Sequence, residues 1–164
     1  MLKKIIITTI LYSLFIINAY SAGSSSNDDK TVTKSNYDEA VVHIEAAKKH
    51  EKKGKLEKAN KSYTKAQKLL IKSNDKKPNN PDTLNYLGFT TRKLGDFKNG
   101  EKYYLQGLAI NPSHRGINEY LGELYVVTKR HNLAVERLEV LRGCNCEEYE
   151  QLKAVIAGEK APKY

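Results

Sequence analysis

The sequence predicts an all-α chain built from antiparallel helix hairpins. Three observations carry this. Pro and Gly are scarce after the first 36 residues, and apolar residues recur at helical spacing. A stretch beginning at Tyr86 is also answered, 34 residues later, by a similar stretch beginning at Tyr120. A fixed period in that size range is the mark of a helical repeat array, in which each unit buries its apolar face against its neighbours.

The chain opens Met-Leu-Lys-Lys, runs apolar from Ile5 to Ile17, and reaches small residues at Ala19, Ser21 and Ala22. This is the layout of a secretory signal peptide over residues 1–21, with cleavage expected after Ser21. The alternative is an uncleaved anchor, for which the apolar run is short against the roughly 20 residues that span a bilayer. No other segment is apolar enough to cross a membrane. The expected location is therefore periplasmic or secreted, in a bacterial cell. Residues 22–36 are small, polar and charged, and read as a flexible leader. The folded domain is expected over 37–158, with a tail at 159–164.

The chain is basic, with 28 Lys+Arg against 19 Asp+Glu, and the excess is concentrated. Twelve lysines and three acids lie between Lys48 and Lys77, a balance of +9, while the rest of the exported chain is net negative. Such a segment can be a solvated helix face, or it can rest on an anionic envelope surface. Export argues against nucleic acid as the partner.

Helical elements follow from the spacing. Ile117, Tyr120, Leu121, Leu124 and Tyr125 share one face of a helix starting near Arg115. Another helix begins after Asp96, a suitable N-cap, and carries Phe97, Tyr104 and Leu108 on one side. Turns this short force neighbouring helices to lie antiparallel. An earlier copy has Ala47, Gly54, Ala59, Tyr63 and Ala66 at matching steps. Gly54 to Gly95 is 41 residues rather than 34. The extra seven fall between Ala66 and Pro78, close to two helical turns, so a longer second helix keeps its buried face in register.

"YLGFTTRKLGDFKNGEKYYLQGLAINP" and "YLGELYVVTKRHNLAVERLEVLRGCNC" resemble tetratricopeptide repeats. Leu87-Gly88, Gly95-Asp96-Phe97, Tyr104 and Asn111-Pro112 match the family pattern in the first stretch. Leu121-Gly122, Tyr125 and Ala134 match it in the second. The resemblance implies a right-handed superhelix of three hairpins at about 40–80, 81–114 and 115–146. A helix over about 147–157, with Glu147 and Glu148 in its first turn, would cap the last hairpin. The whole looks like the small exported bacterial proteins of this family.

No catalytic set stands out. P-loop, G-x-G-x-x-G, G-x-S-x-G and H-E-x-x-H patterns are all missing, and no carboxylate pair suggests acid–base work. His43 and His50 stand seven apart at packing positions and read as interfacial residues rather than metal ligands. The sequence points to no enzyme, no metal and no cofactor. The resemblance instead implies a concave groove that binds a peptide or partner segment. Carried over position by position, that groove is lined by Lys48 and Lys52, then Asn85, Phe89 and Arg92, then Glu119, Glu123 and Val127. The groove changes sign along its length, basic to acidic, with Phe89 near its middle, either as an exposed anchor for a partner side chain or packed inside the stack. Relatives that grip a C-terminal carboxylate place Lys and Asn where this chain has Ile44 and Lys48, Asn85 and Phe89, and Glu119 and Glu123, which argues against that mode.

The only two cysteines stand in "RGCNCEEYEQL". Cys144 aligns with Ile110, an apolar position, and Cys146 with the helix-stopping Pro112. A tight disulfide in place of the proline is one reading. Buried free thiols are another, and a thiol or metal function through Cys144 and Cys146 is a third. Glu147 and Glu148 oppose a reactive thiolate, and two ligands fall short of a closed zinc site.

Overall fold

The computed structural model describes residues 34–163; the expected signal peptide and most of the expected leader lie outside them. The described residues form seven α-helices: α1 (Asn36–Glu51), α2 (Leu56–Lys76), α3 (Pro81–Lys93), α4 (Phe97–Ile110), α5 (Arg115–Val127), α6 (His131–Leu141) and α7 (Glu147–Ile156). Helices α1 and α2, α3 and α4, and α5 and α6 pack as three hairpins. The hairpins stack through α2 on α3 and α4 on α5, and α7 closes the end against α5 and α6. No described helix is long and apolar enough to cross a membrane.

Local chemistry sets the boundaries. Asn36, which the sequence reading left in the leader, is already helical. The Ser35 Oγ accepts from the Asp38 N–H, and the Asp38 carboxylate accepts from the Ser35 N–H, a reciprocal capping box. Asn80 caps α3 through the Thr83 N–H at 2.9 Å, with Pro81 in the first helical position, where its missing N–H costs nothing. Asp96 caps α4 through the Asn99 N–H at 3.0 Å. At α5 the cap is His114, whose Nδ1 accepts from the Ile117 N–H while Nε2 meets Asp82 at 3.1 Å. Helix α2 has 21 residues, seven more than the 14 of α4.

The core follows the small-large alternation of the repeats. Ala47, Ala59, Ala66 and Ala134 are fully buried beside Ile44, Leu70, Tyr104 and Leu121. Two glycines permit contacts that a side chain would block. A Cβ at Gly88 would stand 2.5 Å from the Tyr104 ring, and a Cβ at Gly122 would stand 2.5 Å from Leu152. In the second hairpin the notch on the first helix is thus filled by its partner α4. In the third it is filled by α7. Leu152 and Val155 are buried there, so α7 shields apolar surface that the last hairpin would otherwise expose.

Three aromatic rings tie the stack together. Tyr63 of α2 meets Phe89 of α3 edge-on, with centroids 5.8 Å apart, and Phe89 meets Tyr120 of α5 at 5.0 Å. Such contacts add about 0.5–1.5 kcal/mol each beyond simple burial. The row crosses all three hairpins and forms the floor of the site described next.

Candidate functional site

Helices α1, α3 and α5 face a cleft of about 470 Å³ lined by Lys48, Glu51, Lys52, Phe89, Lys93, Tyr120 and Lys163. The first helix of each hairpin supplies a wall because the i to i+4 step returns each side chain to the same face. Four lysines against one glutamate make the lining basic. The Lys48 Nζ stands 5.4 Å from the Phe89 centroid, and Lys93 Nζ 5.5 Å from that of Tyr63, distances at which a ring face attracts a cation. Lys93 is almost wholly buried, and its ammonium bonds Glu51 at 2.7 Å. Burial lowers the Lys93 pKa, and the Glu51 contact opposes that shift. The other Glu51 oxygen accepts from the Tyr63 hydroxyl at 2.8 Å.

The eight residues expected to line one groove fall into four environments. Lys48, Lys52 and Phe89 line the cleft just described. Asn85 and Glu119 lie at a second, shallower opening near His114 and Glu148. Arg92 and Glu123 are beneath the surface, and Val127, the last residue of α5, is exposed without lining either opening. Phe89 is packed inside the stack rather than exposed as an anchor. It is 1% exposed, held between Tyr63 and Tyr120, while still contributing to the cleft lining. Asn85 is also buried, beside Gly116, with its Oδ1 lacking a hydrogen bond among the described residues.

The acidic half of the expected groove is covered by the chain itself. Arg92 donates to Glu123 Oε2 at 3.2 Å and to the Tyr120 carbonyl at 3.1 Å, and both charged side chains are fully buried. The guanidinium also lies 5.6 Å from the Phe89 centroid and 5.5 Å from that of Tyr120. After α7 the chain returns as a non-helical segment over this pair. The Lys163 N–H donates to Glu123 Oε2 at 3.0 Å, and its carbonyl accepts from Arg92 at 2.8 Å. Its ammonium reaches Glu119 at 2.6 Å. Gln151 of α7 completes the cluster by donating to the other Glu123 oxygen at 3.3 Å.

Glu119 carries the consequence of this enclosure. Burial raises its carboxyl pKa from the ordinary 4.5 to about 7, although the Lys163 hydrogen bond and charge pull it down. Glu123 and Glu148 add to the upward shift. Burial also raises the Tyr120 phenol well above its usual range.

Sequence reasoning missed Glu51, Lys93, Tyr120, Gln151 and Lys163. Tyr120 was visible as the first residue of the repeated Tyr-Leu-Gly, but it was assigned only to the core. Lys163 lies outside every periodic element, so no pattern could place it.

At the other end, the Cys144 and Cys146 sulfurs are in contact and their Cα atoms are 5.2 Å apart. Asn145 between them has φ 48°, a left-handed conformation that Asn tolerates better than most residues. Among the described residues, no three His, Cys, Asp or Glu side chains converge as a metal site would require.

The fold is similar to a solved structure described as the first tetratricopeptide repeat of Spaghetti (RPAP3) bound to the HSP90 peptide SRMEEVD. The TM-score is 0.53 with 22% sequence identity, over 74% of this chain and 94% of that chain. No family model matches the sequence, and no curated protein matches it. The likeness shows that this chain has the tetratricopeptide-repeat fold.

Proposed function

We propose that this tetratricopeptide-repeat fold serves as a non-enzymatic adaptor, exported from the cell interior, that holds a peptide or partner segment in the cleft between α1, α3 and α5. One observation carries the reading: this side of the array already holds a non-helical stretch of polypeptide through both main-chain groups of Lys163. A surface that satisfies the backbone of one extended segment can satisfy that of another. The similar solved structure holds a peptide as well. The lysine lining at Lys48 and Lys52 favours a segment with acidic residues, with the Phe89 and Tyr120 rings for its apolar atoms.

The test is capture of a partner from the cell envelope by crosslinking, repeated with Lys48→Glu and Lys52→Glu together. Both residues sit on the outer part of the cleft, so the fold is expected to survive while capture is lost. Undiminished capture by the double variant would overturn the cleft assignment. Export is tested by the mass of the protein recovered outside the cytoplasm, which should correspond to a chain beginning at Ala22.

In an oxidising compartment, Cys144 and Cys146 form a disulfide on this reading. The 5.2 Å Cα separation supports it, since bridged pairs usually span about 4.4–6.8 Å. The bond would fix the exit from α6 into α7, where the preceding hairpin has Pro112. Thiol titration of protein purified in air should find no free thiol; two free thiols would refute the bond.

A further inference from the structure

The reading of the cleft as a peptide groove leaves one part of it unexplained. Arg92, Glu119 and Glu123 are three charged side chains on the concave faces of α3 and α5, and all three are buried. Arg92 and Glu123 neutralise one another at 3.2 Å. Glu119, one helical turn before Glu123, makes its ion pair with Lys163 at 2.6 Å. A carboxylate is costly to take out of water without a partner. These three buried charges are two acids and one base, and the lysine that pairs with Glu119 comes from the segment after α7.

The contacts sort by what they read. The Lys163 N–H and C=O are held by Glu123 and Arg92, an arrangement that any residue other than proline would satisfy. The ammonium on Glu119, 5.9 Å from the Tyr120 ring centroid, is satisfied by a lysine. Two contacts fix the backbone of a non-helical segment, and the third selects its side chain. Residues 161–162 add little of their own: Pro162 has no N–H to pair, and it biases Ala161 toward extended backbone.

We propose that Glu119, Glu123 and Arg92 form a lysine-binding subsite for an extended peptide, and that the chain's own Lys163 fills this subsite in cis. Lys163 is a stand-in for a lysine of the partner. The complete ligand is an extended segment with a lysine at the α5 end and acidic residues at the α1 end, toward Lys48 and Lys52. The proposal rests on the groove reading above. Only six residues, 157–162, separate α7 from Lys163, so the tail is present at its subsite at an effective concentration in the millimolar range. A partner must outcompete it, and this suppresses weak or mismatched segments.

The experiment uses the exported chain and a fluorescein-labelled peptide of residues 158–164, Gly-Glu-Lys-Ala-Pro-Lys-Tyr. Anisotropy is measured on wild type and on Lys163→Glu, whose tail is repelled by Glu119. The Lys163→Glu protein should bind the probe about tenfold or more tightly than wild type. A probe with glutamate in place of its second lysine should bind neither protein. Circular dichroism should show unchanged helix, and amide exchange over residues 161–163 should accelerate in the variant. Equal binding of the lysine probe to both proteins would overturn the competing tail. Failure of the probe to bind Lys163→Glu, with its tail amides already exchanging freely, would overturn the subsite. In either case capture of a partner that depends on Lys48 and Lys52 would show that the groove reading still stands, and its absence would show that both fail.

Discussion

The two ends of the cleft use charge differently. At α1, Lys48 and Lys52 line the cleft, and Lys48 shares a partly exposed contact with Glu45. At α5, Arg92 and Glu123 make a pair that solvent does not reach, roofed by α7 and the segment after it. Exposed pairs contribute about 0–1 kcal/mol because water competes for both partners. Buried pairs are costly to break, since removing one side strands the other in a medium that solvates it poorly. The same residue types, on different hairpins, thus act as a recognition surface at one end and as part of the interior at the other. Their position relative to the tail decides which.

The sharpest way to break this contrast is Glu123→Ala. It removes the carboxylate that neutralises buried Arg92 and the acceptor for Gln151 and for the Lys163 N–H, so a loss of about 3–5 kcal/mol is expected in urea unfolding. A loss under 1 kcal/mol would mean that water already reaches the pair.

Glu119 gives the next effect, of up to about 3 kcal/mol. Its pKa is raised to about 7 from an ordinary 4.5 in the unfolded chain. The folded protein therefore holds the proton more tightly, and this group's contribution to stability is complete below about pH 4.5. It is lost as pH rises through about 7. Wild type minus Glu119→Gln, compared by denaturation at pH 5 and pH 8, should show that fall. A flat difference would mean that Glu119 is better solvated than its position implies.

Gly122→Val forces branched methyl groups into Leu152 and should cost about 1–3 kcal/mol, the ordinary range for overpacking a filled core. Its thermal unfolding should be compared with that of Gly116→Ala, which meets mainly the Asn85 amide. The smallest effect belongs to Lys52→Ala, at the open end. Its stability should stay within about 0.5 kcal/mol of wild type while its salt-dependent partner binding weakens. A larger change in stability would move Lys52 from the recognition surface into the fold.

The fold was legible because it is periodic. Tyr86-Leu87-Gly88 and Tyr120-Leu121-Gly122 mark the same step of two hairpins, and the longer spacing from Gly54 to Gly95 corresponds to the 21 residues of α2. The site was legible only in part. Periodicity locates the concave side of a helix but not what covers it. Phe89, Arg92, Glu119 and Glu123 do sit on the first helices of their hairpins, yet each is buried. The ring of Phe89 closes a row with Tyr63 and Tyr120, and the charges meet a segment whose sequence, Ala-Pro-Lys, has no period. A buried charge needs a counterion, but a counterion 40 or 44 residues away, as Lys163 is from Glu123 and Glu119, leaves no spacing to read.

The notch at Gly122 has one further consequence. At Gly88 the space is filled from within the hairpin, so that unit carries its own plug and another can be stacked beside it. At Gly122 the plug is Leu152, on α7. A fourth hairpin duplicated onto this end would have to evict α7 and bring its own filler for the vacated notch. The position of one leucine therefore decides whether this face of the third hairpin is open to another hairpin or closed by α7.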